Sequence, residues 1–286
     1  MTRALVFLDL SDMDQTLMQQ IAGLHKTFEI EKLYVAHYIE LQEFSGDLNA
    51  HFQNMERPIE EILHEELMER ARESGLESDK IEVLIFKDGS KTNMTTWINE
   101  SDVDVCVLGK KIVYKGTGIF SGRMARLLSK NILFTTETSR LDIKHTLVAI
   151  DFSNFSKKAL NFASQLQTRE DQNMTAYHVF RLPGAYFPFV RANTEKLQDK
   201  EAEENLNKLH KFISGSKSAD KVDLVVEYAG EETLGRKIYD FAKSHFVDLI
   251  VMGVKGKTDK DELLIGSVAE QLIAVDKDLP VLLVKN

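Results

Sequence analysis

The stretch with the most chemical meaning runs Gly253, Val254, Lys255, Gly256, then nine residues from Lys257 to Ile265, then Gly266, Ser267 and Val268. Two glycines this close allow positive φ and the close approach of a ligand to the backbone. Gly266 and Ser267 open a helical pattern, and Ser267 with Glu270 has the spacing of a capping box. A helix that starts there offers free N–H groups and the positive end of its dipole, both suited to a phosphate. Asp151 ends the apolar run LVAID, and Met252 immediately precedes the first glycine.

Other chemistries fit less well. Gly256-Lys257-Thr258 ends like a P-loop, but Val251 stands where the first glycine of that loop belongs. Gly116, Gly118 and Gly122 have the wrong spacing for a dinucleotide fingerprint and do not follow a first strand. The eight histidines are scattered, without a metal-ligand spacing, so no metal site is expected. Cys106 is the single cysteine, which leaves no intrachain disulfide. No catalytic constellation emerges, so the expected activity is at most slow hydrolysis of a bound nucleotide.

The elements that would position these residues occur twice. LVFLDLS from Leu5 to Ser11 returns as LVAIDFS from Leu147 to Ser153, and Asp9 and Asp151 lie 142 residues apart. VDVCVLG ending at Gly109 returns as VDLIVMG ending at Gly253, 144 residues on. In the first half, strands are expected near 3–9, 31–38, 80–86, 103–109 and 131–135, and helices near 12–27, 56–75, 91–100 and 121–130. In the second, strands are expected near 145–151, 173–180, 221–228, 247–253 and 280–284, and helices near 154–168, 194–214, 232–245 and 267–275. Strands that read as continuous apolar runs are buried on both faces, and repeated β-α units force parallel pairing. The expected architecture is α/β, with two tandem, doubly wound, Rossmann-like domains over 1–140 and 144–286. Ligands of such sheets bind beyond the carboxyl ends of the strands, at the switch in strand order. That edge holds Asp151, Val179 and the run from Met252 onward.

The chain has 286 residues, 43% hydrophobic and 28% charged, with a net charge of -9. This is a folded composition whose acidity argues against a nucleic-acid or anionic-membrane surface. No apolar run approaches the length of a membrane span, and the N-terminal stretch lacks the pattern of a signal peptide, so the expected location is cytoplasmic.

The G-x2-G-x9-G-[ST] pattern of Gly253, Gly256, Gly266 and Ser267, with Asp151 after the first strand and His178-Val179 late in the second, resembles the ATP-binding universal stress proteins. The resemblance covers the chain as two domains, but the phosphate motif only once. It implies five-stranded parallel sheets in the order 3-2-1-4-5. It also implies roles: Asp151 on the ribose or adenine region and the Val179 backbone at the adenine. Gly253 and Gly256 would line the ribose-phosphate path, Gly266, Ser267 and Val268 would hold the phosphates, and Met252 and Lys255 would join them in the nucleotide-binding set. The ligand implied is ATP, with AMP, ADP and a companion Mg left open. Single-domain relatives pair through their last strand, which implies an intramolecular pseudo-dimer here, with homo-oligomers and an unidentified protein partner also open.

The first half departs from the pattern. Ile112 replaces the second glycine and Arg123 replaces the serine, so this half is expected to be structural. The leading expectation is a nucleotide-binding stress-response regulator or adaptor. The alternative is a nucleotide-independent interaction scaffold. A phosphorylated receiver using Asp88 is disfavoured because the second half has no matching Asp, and an adenylating enzyme is weaker still. The aromatic loop Pro183 to Val190 is a cap on the nucleotide, a partner surface, or a segment buried under the helix expected at 194–214.

Overall fold

In the computed structural model the described residues are 2–39, 55–87, 91–110, 117–166, 172–182, 194–215, 221–255 and 265–285. Gly256, Ile112, Asp88 and the loop Pro183 to Val190 lie outside them. The chain divides into two compact units, residues 1–142 and 143–286.

In the first unit the strands are β1 (Thr2–Phe7), β2 (Ile30–Ile39), β3 (Ile81–Lys87), β4 (Val105–Lys110) and β5 (Asn131–Thr136). They pair in parallel in the order β3-β2-β1-β4-β5. The helices are α1 (Met13–Phe28), α2 (Ile59–Ala71), α3 (Lys91–Glu100) and α4 (Thr117–Leu127). Helix α1 shows why the units are layered. Leu17, Ile21, Leu24 and Phe28 recur at helical spacing and are all buried against the sheet side. The central strand is covered on both faces, with Ala4, Leu5 and Val6 fully buried.

The second unit repeats the plan with β6 (His145–Ala149), β7 (Asn173–Phe180), β8 (Val222–Tyr228), β9 (Leu249–Gly253) and β10 (Val281–Val284). Its order, β8-β7-β6-β9-β10, is the same winding and again parallel. Its helices are α5 (Asn154–Leu166), α6 (Thr194–Ile213), α7 (Leu234–Ser244) and α8 (Ser267–Val275). Strand order reverses between β6 and β9, where Ala149 is level with Met252, so the chain ends at Asp151 and Gly253 emerge side by side. No described helix is long and apolar enough to cross a membrane.

One helix departs from expectation in a way that matters. The pattern placed the fourth helix at 121–130, but α4 begins at Thr117. Gly122 and Arg123 therefore lie inside a helix, where N–H groups are committed to carbonyls one turn earlier.

Candidate functional site

The turn after β6 is built by short side chains. Asp151 Oδ1 accepts the Ser153 N–H at 2.9 Å, and Ser153 Oγ accepts the Ser156 N–H at 3.1 Å. Ser153, not Asp151, thus caps α5, and the second Asp151 oxygen has no partner among the described residues. Between them Phe152 is held at φ 62°, a left-handed conformation costly for a non-glycine residue. The turn is locked from β7, where His178 Nδ1 lies 2.7 Å from the Ile150 carbonyl. A carbonyl only accepts, so Nδ1 carries the proton. The Phe152 ring also packs 4.4 Å from the imidazole. These contacts make His178 a brace for the turn.

Gly253 has a different role from the one its spacing suggested. Its φ is not positive. A methyl there would lie 2.6 Å from Phe155 Cβ and 2.7 Å from the Phe155 carbonyl carbon. The glycine lets the end of β9 press against the first turn of α5. That contact brings the chain beyond β9 to the Asp151 turn.

The other wall is the start of α8. Its N-cap is Gly266, at φ -62° and ψ 147°, so Ser267 is the first helical residue and the expected Ser267–Glu270 capping box does not form. The Glu270 N–H bonds the Gly266 carbonyl at 3.0 Å, while Gly266 donates to the Val254 carbonyl at 2.7 Å. The N–H groups of Ser267, Val268 and Ala269 are the orphan donors of the first turn. Helix α8 is seated by Gly235, where a methyl would come within 2.5 Å of the Leu272 nitrogen.

Between these walls is a cavity of about 320 Å³. Its lining includes Asp151, Val179, Met252, Gly253, Lys255, Gly266, Ser267 and Val268, the expected residues apart from Gly256. Lys255 is buried in the same lining. Sequence reasoning missed Ala149, Ser156, Tyr177, Leu234 and Ile238 in the same lining. The Tyr177 hydroxyl donates to Glu227, and its ring stacks on Phe241 at 4.1 Å. Burial first, then the Glu227 charge, pushes its phenol far above the usual range, so Tyr177 is a neutral wall.

Aligning the repeats exposes the signal that was available. Ala149 and Tyr177 face each other across β6 and β7, and the matching rung in the first unit is Phe7 and Ala36. Val179 is matched by Tyr38, three residues after Val35 as Val179 is after Ala176. Bulk on that rung is swapped between the units, with Phe7 opposite Ala36 in the first and Ala149 opposite Tyr177 in the second, while Tyr38 stands where Val179 lines the cavity.

The sequence pattern of the universal stress protein family matches residues 142–285. A universal stress protein of Methanocaldococcus jannaschii is 30% identical over 150 residues, 50% of this chain and 82% of that protein. A putative universal stress protein of Staphylococcus epidermidis is 27% identical over 135 residues, 46% of this chain and 79% of that protein. The crystal structure of a universal stress protein from Archaeoglobus fulgidus matches with TM-score 0.65 at 19% identity, covering 99% of this chain and 98% of that one, a likeness of fold. With half its length matched by the family pattern, the chain belongs to the universal stress protein family.

Proposed function

We propose that the second unit binds one ATP in the cavity between Asp151 and the start of α8, and that the chain is a cytoplasmic, nucleotide-responsive regulator or adaptor without efficient catalysis. One observation carries this reading. Three orphan N–H groups at a helix start, a buried lysine and a carboxylate with an open oxygen converge on one cavity. The amides and Lys255 suit phosphates, and Asp151 suits ribose hydroxyls. The cavity volume lies within the small-molecule range of about 300–1,000 Å³. Mg bound with the nucleotide would offset part of the phosphate charge. Asp151 accepts hydrogen bonds at the proposed ribose end, Tyr177 stays neutral and Lys255 is a cation, so none of these is placed as a base for an attacking water.

Calorimetric titration of nucleotide-free protein with ATP, ADP and AMP tests the reading. One site per chain is expected. Ser267→Asp is the informative variant. An acidic residue in the first turn complements the helix dipole, so folding is retained. The same carboxylate faces the phosphates, and affinity is expected to fall at least about tenfold, equivalent to ~1.4 kcal/mol. Unchanged affinity would remove the α8 amides from the site, and no binding of any nucleotide would leave the interaction scaffold as the better account.

A further inference from the structure

A second depression, of about 620 Å³, shares Asp151 with the nucleotide cavity and is otherwise lined by Phe152, His178, Asn205, Lys208 and their helical neighbours Lys211 and Phe212. Asn205 lies on the inner side of α6 and is only 7% exposed. Its Nδ2 donates to the Glu201 carbonyl at 2.9 Å, which fixes the amide orientation. Its Oδ1, turned the other way, has no hydrogen-bond partner among the described residues. Because Asn205 lines the depression, this oxygen is an acceptor open to whatever fills it.

The surrounding groups define that occupant. Lys208 and Lys211 are exposed, and among the described residues neither is in an ion pair. They call for an anion. Asp151 and Asn205 present oxygen acceptors, which call for hydroxyl donors. Between them the Phe152 and Phe212 rings meet edge to face at 5.7 Å and offer an apolar surface for C–H groups. Lys157 is already committed, donating to the Phe212 carbonyl at 2.6 Å. A polycarboxylate would set negative charge against Asp151, and a bare phosphate would leave the ring surface without C–H groups to cover it. A small hydroxylated phosphoester satisfies all three demands.

We propose that this depression is a second ligand site, for a small sugar phosphate held by Asn205, Asp151, Lys208 and Lys211. The site adjoins the nucleotide cavity at Asp151 and differs from it in Asn205 and both lysines, which that cavity's lining does not include.

The test is calorimetric titration of the full chain with glucose 6-phosphate, glucose and inorganic phosphate, with and without saturating ATP. Glucose 6-phosphate is expected to bind, and glucose and phosphate to bind at least about tenfold more weakly. The double variant Lys208→Ala with Lys211→Ala is expected to weaken glucose 6-phosphate at least about tenfold while ATP affinity stays at its wild-type value. Asn205→Leu, close in volume and favourable in a helix, removes the acceptor together with the amide donor to the Glu201 carbonyl, which keeps its helical N–H partner, and is expected to weaken glucose 6-phosphate but not inorganic phosphate. No binding of glucose 6-phosphate at low millimolar concentration would overturn the proposal. So would equal affinity for inorganic phosphate, which would mark a basic surface only. Binding that ATP abolishes and the lysine variant leaves intact would also overturn it, by placing the sugar phosphate in the nucleotide cavity.

Discussion

Asp9 and Asp151 end equivalent strands, and each is followed by a left-handed residue, Leu10 at φ 63° and Phe152 at φ 62°. Each turn is braced by a histidine from the next strand, His37 on the Leu8 carbonyl at 2.8 Å and His178 on the Ile150 carbonyl at 2.7 Å. The backbone device is therefore the same in both units, and what differs is the set of side chains around it. In the first unit Asp14 accepts the Asp9 and Leu10 N–H groups and pairs with Arg70 at 3.1 Å. In the second, Ser156 takes the place of Asp14, and its hydroxyl donates only to the Ser153 carbonyl. The first unit has a carboxylate where the second leaves a short hydroxyl lining a cavity. It also has Phe7 where the second has Ala149, and a helix running through Gly122 where the second begins one at Ser267. The cavity of the second unit thus depends less on the turn than on the side chains and the helix start beside it.

The largest effect is expected at Gly235, which lets α7 pack against the middle of α8. Gly235→Val places branched carbons against the Leu272 backbone nitrogen and Gln271, where even a methyl comes within 2.6 Å. Backbone cannot retreat as a side-chain tip can. The expected cost is about 3 kcal/mol, the upper part of the usual range for overpacking. ATP binding should vanish with the displaced amides. Urea unfolding followed by circular dichroism measures the stability, and wild-type stability would show that the helices are not in contact.

A smaller change copies the first unit's bulk into the second. Ala149→Phe reproduces Phe7 at the cavity wall. The ring would enter the cavity that Ala149 lines, so the fold is expected to persist, while ATP affinity drops by about a hundredfold, near 2.7 kcal/mol. Full affinity in a folded variant would mean that the nucleotide does not pass Ala149.

Much of the fold was legible because buried parallel strands announce themselves as apolar runs. LVAID and LIVMG could be placed within two residues of the observed strand ends. The start of α4 was not legible. Gly118, Ser121 and Gly122 are poor helix formers, yet the chain is helical through all three. The site was legible as far as it is local: Asp151, Gly253, Gly266 and Ser267 are signalled by type and spacing. The need for glycine at 253 and 235 arises from contacts with Phe155 and Leu272, distant in sequence, so the first was credited with a positive φ it does not have and the second was not noticed. Ala149 was overlooked because an alanine in a strand carries no signal until it is set against Phe7.

Asp14 gives a pH-dependent test of the same comparison. Burial pushes its carboxyl up, outweighing the hydrogen bond from the Asp9 N–H and the Arg70 charge. Its folded pKa then lies above the unfolded value near 3.8. The protonated form is favoured by folding, so its contribution is complete below that value and is lost as pH rises through the folded pKa. Asp14→Asn removes this titration. The difference in unfolding free energy between wild type and variant is expected to move against the wild type as pH rises through that window. Trp97, the single tryptophan, packs 5.6 Å from Tyr34 in this unit and reports its unfolding by fluorescence. A difference constant with pH would show that Asp14 is not held above its ordinary range.

The smallest effect concerns the two left-handed residues, where one substitution is expected to act with opposite signs. Asn tolerates φ near +60° better than Leu or Phe, because its short polar side chain bonds locally. Leu10 is half-buried, and its turn is already held by Asp14 and by Arg70, which donates to the Ser11 carbonyl at 3.2 Å. Leu10→Asn therefore relieves strain and is expected to stabilise the first unit by about 0.5 kcal/mol, read from the Trp97 transition. Phe152 is held at the same φ, but its ring packs on His178 and Phe212. Aromatic contacts of this kind contribute roughly 0.5–1.5 kcal/mol beyond burial, which exceeds the strain released. Phe152→Asn is expected to destabilise the second unit by about 1 kcal/mol in the circular dichroism transition. Equal and stabilising effects at both positions would mean that the Phe152 ring does not anchor its turn.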